Sequence, residues 1–72
     1  MRRTRVASSV IAAVGYDPRR GILEVEFRTG KIYNYFKVPG PVYEQLVKAK
    51  SMGRFFNEVI RPNHRSLLVR DV

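Results

Sequence analysis

The sequence predicts a small α+β domain: a three-stranded antiparallel β-meander followed by two C-terminal helices packed on one face, in the order β-β-β-α-α. Three observations carry this. Apolar and polar residues alternate over two runs joined by Thr29-Gly30, the period of half-buried strands around a tight turn. After Pro39-Gly40-Pro41 the apolar spacing changes to three and four, the period of helices. No helical segment separates the strands, which excludes a parallel sheet built from crossover units.

Ser9 to Tyr16, rich in Val, Ile and Ala, reads as the first strand, and Asp17-Pro18-Arg19-Arg20-Gly21 ends it with strong turn chemistry. Ile22 to Arg28 is the second strand, with Leu23, Val25 and Phe27 on one side and Glu24, Glu26 and Arg28 on the other. Lys31 to Val38 is the third. A two-residue turn at Thr29-Gly30 would set Arg28 opposite Lys31, Phe27 opposite Ile32 and Glu26 opposite Tyr33. On that register Leu23, Val25, Phe27, Ile32, Asn34 and Phe36 form the core face. Tyr33 and Tyr35 then stand on the open face with Glu24, Glu26, Arg28 and Lys31.

Pro41 suits the first position of a helix that runs on through Val42 to Lys50. Ser51 suits the cap of a second helix, in which Met52, Phe55, Phe56, Val59 and Ile60 span an arc of about 140°. Arg54, Asn57, Glu58 and Arg61 face away from that arc, and Pro62 ends it. Residues 1–6 read as a flexible basic arm. In the tail, residues 63–72, the run Leu67-Leu68-Val69 either adds an edge strand or stays mobile.

The 72 residues make one domain, because separate domains usually run to about 100 residues or more. With no cysteine and a single histidine, the sequence offers neither a disulfide nor a metal cluster. The core must come from the 44% of residues that are hydrophobic, including four Tyr and four Phe. Arg2, Arg3 and Arg5 before an apolar stretch imitate a signal peptide, but Ser8 and Ser9 interrupt it and no small-residue cleavage site follows. No run approaches the roughly 20 apolar residues that span a bilayer. The expected setting is the cytoplasm.

Fourteen Lys and Arg against six acids give a formal charge of +8, which attracts polyanions and also serves solubility. Catalysis is not expected. His64 has no partners for a metal or a triad, the acids are scattered over turns and exposed faces, and no phosphate-cradling glycine loop is present. No cofactor is expected either.

Two places attract a binding reading. Tyr33 and Tyr35 on an open sheet would offer flat rings for base stacking, with Arg28 and Lys31 for phosphates. Packing against neighbours explains the same pair. The start of the second helix, Ser51 and Gly53 between Lys50 and Arg54, would favour an anion. A plain cap, with glycine permitting close helix contact, is the simpler explanation of the same residues.

The pattern as a whole resembles the KTSC domain, a module named for its place at the C-terminus of some lysyl-tRNA synthetases and also found free-standing in bacteria. The matching pieces are Ser8-Ser9-Val10, Val14-Gly15-Tyr16-Asp17, Phe27 with Gly30, Tyr33-Asn34-Tyr35 and Val38-Pro39. They continue through Val42-Tyr43 and Ala49-Lys50-Ser51-Met52-Gly53 to Phe56-Asn57 and Ile60-Arg61. The resemblance covers roughly residues 8 to 61 and implies RNA binding, with Tyr33 and Tyr35 as the family's Tyr-x-Tyr motif. Where the family often has aromatics after Ile60-Arg61, this chain reads Pro62-Asn63-His64-Arg65, so His64 would take that role.

Taken together, the expected function is a small basic binding module for RNA or other single-stranded nucleic acid. Tyr33, Tyr35, Arg28, Lys31, Lys50, Ser51, Gly53, Arg54, Arg61 and His64 are the candidate contacts. The alternative is a protein-interaction module whose strand from Lys31 to Val38 lies at a sheet edge and pairs with another chain or with itself as a homodimer.

Overall fold

A computed structural model describes residues 3–70. Five strands form one sheet: β1 (Thr4–Arg5), β2 (Ile11–Asp17), β3 (Ile22–Phe27), β4 (Ile32–Tyr35) and β5 (Ser66–Arg70). They lie in sequence order, each antiparallel to its neighbour. The helices come between β4 and β5. These are α1 (Gly40–Lys48) and α2, which is α-helical over Met52–Phe55 and continues as a wide π turn over Phe56–Ile60. The α+β class and the two helices match the sequence reading. The three-stranded meander is corrected to five strands: residues 4–5 of the basic arm pair with Ala13 and Val14, and the tail adds β5 beside β4.

The β3–β4 register differs from the expected one by a single residue. The Phe27 N–H donates to the Lys31 carbonyl at 2.9 Å and the Gly30 N–H to the Phe27 carbonyl at 2.9 Å, so the loop is Arg28-Thr29-Gly30. Leu23 then pairs with Tyr35, Val25 with Tyr33, Glu24 with Asn34 and Glu26 with Ile32. The reason is steric. A two-residue turn of the common hairpin type with glycine second needs φ > 0 at Thr29 also, which a β-branched residue resists. A three-residue loop asks it of Gly30 alone, and Gly30 has φ 97°. A slip of one residue turns every side chain to the other face. Tyr33 and Tyr35 therefore lie on the helix side with Leu23 and Val25, and Asn34 lies with Glu24.

The core brings Ile11, Val14, Leu23, Val25 and Tyr35 of the sheet against Leu46 of α1 and Met52, Phe56 and Ile60 of α2. Ile11 and Val14, an odd number of residues apart, both face the helices because a bulge interrupts β2 between Ile11 and Ala13. Ser51 caps α2 as its sequence suggests, its hydroxyl accepting from the Arg54 N–H at 3.3 Å. At the other end of the sheet the Tyr16 hydroxyl donates to the Val38 carbonyl at 2.6 Å. The Tyr16 ring stacks on Tyr43 of α1, with centroids 4.6 Å apart.

On the other face Glu24 and Glu26 are held from both flanks. Arg3 reaches Glu24 at 2.6 Å and Glu26 at 3.6 Å, and Arg70 reaches Glu26 at 3.9 Å. The expectation that β4 forms a sheet edge is also corrected, since β5 covers it and is itself the outer strand.

Phe56 carries much of this packing and is 1% exposed. Removing such a ring to Ala ordinarily costs about 3–5 kcal/mol, a large part of the roughly 4–11 kcal/mol expected for a chain of this length. Phe56→Ala is expected to lower the urea midpoint sharply or to leave the domain largely unfolded at room temperature, followed by circular dichroism.

Candidate nucleic-acid interface

The corrected register gathers four rings where β3, β4 and α2 meet. Phe27 meets Phe56 edge-on at 5.4 Å and Tyr33 at 5.8 Å, and Tyr35 meets Phe56 edge-on at 5.0 Å. Tyr33 and Tyr35 are tilted neighbours at 6.3 Å. Edge-to-face pairs of this kind hold rings in fixed orientations. Tyr35 is 4% exposed and belongs to the core, whereas Tyr33 is the half-buried outer member. The stacking surface formed by both rings on an open sheet is thereby corrected. One ring, Tyr33, reaches solvent, and it does so on the helix side.

Tyr33 opens into a cleft of about 450 Å³ lined also by Phe27, Arg28, Lys31, Arg61 and the Ser9-Val10 segment. The three-residue loop supplies Arg28 and places Lys31 directly after it. The π turn supplies Arg61, whose N–H reaches back five residues to the Phe56 carbonyl at 2.9 Å. The extra residue in that turn carries Arg61 towards the sheet, against the expectation that it faces away. Its guanidinium is braced by Asn57 Oδ1 at 3.3 Å and interacts with the Tyr35 hydroxyl.

Arg28 has a structural task besides its charge. Its Nε donates to the Ser8 carbonyl at 3.0 Å and its Nη2 to the Val6 carbonyl at 3.3 Å, tying down the segment between β1 and β2. That segment forms a ridge, with Val10 43% exposed. Beyond it lies a second groove of about 580 Å³, lined by Lys50, Ser51, Gly53, Arg54 and Asn57 among others. Here Gly53 serves close packing, since a Cβ on it would lie 3.3 Å from Val10 Cβ and Cγ2. Arg54 pairs with Glu58 at 2.9 Å.

The structure thus brings Tyr33, Arg28, Lys31 and Arg61 together, and places Lys50, Ser51, Gly53 and Arg54 across one ridge from them. His64 is elsewhere, its Nδ1 3.1 Å from the Phe36 carbonyl in a separate hollow with Lys37 and Arg65. Sequence reasoning missed Phe27 and Val10 as walls and the bracing role of Asn57. Nothing in the spacing announces the π turn, since Met52, Phe56 and Ile60 keep the ordinary four-residue interval of a helix. Among the described residues no group of three or more His, Cys, Asp or Glu is placed to hold a metal ion. No described helix is long and apolar enough to cross a membrane.

Burial raises the Tyr35 hydroxyl above the ordinary tyrosine range. The Arg61 charge and hydrogen bonds from Ser66 and Arg61 oppose that rise, and Tyr33 adds to it. Tyr43 is raised too, by burial and then by Glu44. A folded-state value above the unfolded one means that the folded chain holds its proton longer. Stability is therefore full below about pH 10, the unfolded tyrosine value, and is lost as pH rises through the raised folded values. Urea midpoints measured across that range are expected to fall, and Tyr35→Phe is expected to flatten the decline.

Comparison with known proteins agrees with this architecture. The KTSC domain family matches residues 7–64. An uncharacterized protein of Stutzerimonas stutzeri is 47% identical over 64 residues, covering 89% of this chain and 90% of that protein. A lysine–tRNA ligase of Nostoc sp. is 45% identical over 53 residues, which cover 74% of this chain and 9% of the ligase. The crystal structure of a KTSC domain protein from Yersinia pestis superposes with a TM-score of 0.93 at 36% identity, covering 96% of this chain and 97% of the other. On both sequence and structure, the chain belongs to the KTSC domain family.

Proposed function

We propose that the domain binds single-stranded nucleic acid, RNA foremost, along the cleft and across the Ser9-Val10 ridge. The observation that carries the reading is the half-buried Tyr33 ring at the mouth of a cleft whose rim includes Lys31 and Arg61. One unstacked base would lie against Tyr33. The phosphates on either side would meet Lys31 and Arg61, and farther along the strand Lys50 and Arg54.

The electrostatics support this. The net charge is +8, and the acids closest to the aromatic strands, Glu24 and Glu26, sit on the opposite face and are already paired with Arg3 and Arg70. A polyanion in the cleft is spared their repulsion. The ligase relative, named for a tRNA substrate, supports RNA over DNA. A binder without a reaction of its own, working in the cytoplasm, belongs to the same proposal.

Stacking of one base on an aromatic ring is worth about 1–3 kcal/mol, so Tyr33→Ala is expected to weaken binding of a short single-stranded RNA about 5- to 150-fold. Each phosphate contact contributes roughly −0.7 to the slope of log affinity against log salt for single strands. Lys31→Gln and Arg61→Gln should each make that slope shallower by about this amount. Fluorescence anisotropy at several salt concentrations measures both. Affinity unchanged by all three substitutions would retire the proposal.

A further inference from the structure

The outer strand β5 is exposed along its whole length, yet its centre is apolar: Leu67 is 60%, Leu68 40% and Val69 51% exposed. Among the described residues it pairs on one side only, with β4. Sheet edges are ordinarily blunted by lysine, proline or an inward charge, because an unpaired row of N–H and C=O groups invites another strand. Three consecutive apolar residues on an edge do the reverse.

What surrounds the strand says what it fits. From Val59 to Arg70 the sequence holds Arg61, Arg65 and Arg70 and no acid, so the apolar stretch has an arginine near each end. A second copy would bring the same arginines together between chains that each carry +8. Three partly exposed aliphatic side chains per chain also fall well short of the 1,200–2,000 Å² or so that stable interfaces bury. The geometry points to β5 as a docking edge for an extended segment of another protein in which apolar and acidic residues alternate. Backbone pairing would supply the affinity and side chains the selection. Leu68, opposite Tyr33, and Leu67, opposite Asn34, stand on the two faces of the sheet. Alternate residues of the incoming strand would lengthen both faces, and its carboxylates would meet Arg65 and compete with Glu26 for Arg70, which reaches that acid at 3.9 Å.

This inference is independent of the nucleic-acid reading, and the two are tested on different residues. The probes are two capped synthetic peptides, one alternating valine with glutamate and one valine with lysine, titrated into the isotopically labelled protein. The glutamate peptide is expected to shift the amides of Ser66 to Arg70 and to bind about tenfold more tightly than the lysine peptide, what a pair of exposed ion pairs supplies. Leu67→Lys together with Val69→Lys should reduce that binding about tenfold or more by charging the edge, while the circular dichroism of the sheet is retained. Arg65→Glu should reduce it without touching the apolar side chains. Silent β5 amides, or equal binding of the two peptides, would overturn the inference. So would a dimer in light scattering that the double lysine variant dissolves, or RNA shifting the same amides.

Discussion

The loop Arg28-Thr29-Gly30 is the constraint on which the rest of the molecule depends. Gly30 takes a backbone conformation that a side chain would resist, and the Lys31 carbonyl accepts from Phe27 across the loop. Those two facts set the count of residues between β3 and β4. The count places Tyr35 beside Leu23 in the core and Asn34 beside Glu24 on the far face. A register one residue different would send an amide into the apolar layer, at a cost of about 1–3 kcal/mol if unpaired, and would expose both tyrosines. Arg28, the first residue of the same loop, also ties the carbonyls of Val6 and Ser8. The turn therefore locates the ridge beside the cleft as well as the rings within it.

The helical layer completes the surface with few residues. Met52, Phe56 and Ile60 recur every fourth position and are all buried, so α2 lies flat on the sheet. Gly53 lets its first turn approach Val10. The π turn then takes up one additional residue, and Arg61 reaches the aromatic cluster. Charge is separated by the same architecture. Glu24 and Glu26 are on the face away from the helices, held by Arg3 just before β1 and by Arg70 of β5, and the cleft beside Tyr33 is lined by Arg28, Lys31 and Arg61.

Much of this plan could be read directly. The turn at Asp17 to Gly21, the hairpin near Gly30, the break at Pro39, the Ser51 cap and the inward face of α2 all follow from local chemistry, and each is where the residues put it. The candidate site was legible as a set of residue types but not as a surface. Alternation identifies partners only once the loop length is known, and Thr29-Gly30 allows two lengths until the steric demand on Thr29 is weighed. The strand β1 escaped notice because two residues in an arginine-rich arm show no period. The strand β5 stayed an open alternative because a short apolar run does not reveal whether an edge awaits it.

By itself, the sequence determined the α+β class, the positions of turns and caps, the family pattern and the excess of positive charge. Each of these depends on residues near one another along the chain or on simple composition. The tertiary structure alone decided which tyrosine meets solvent, that Arg61 joins the rings, that Glu24 and Glu26 lie on the opposite face and that β5 rather than β4 is the outer strand. The physical reason is that strands alternate with a period of two. Facing is then settled by a register that one loop residue can reverse, and edges are settled by contacts between segments far apart in the chain.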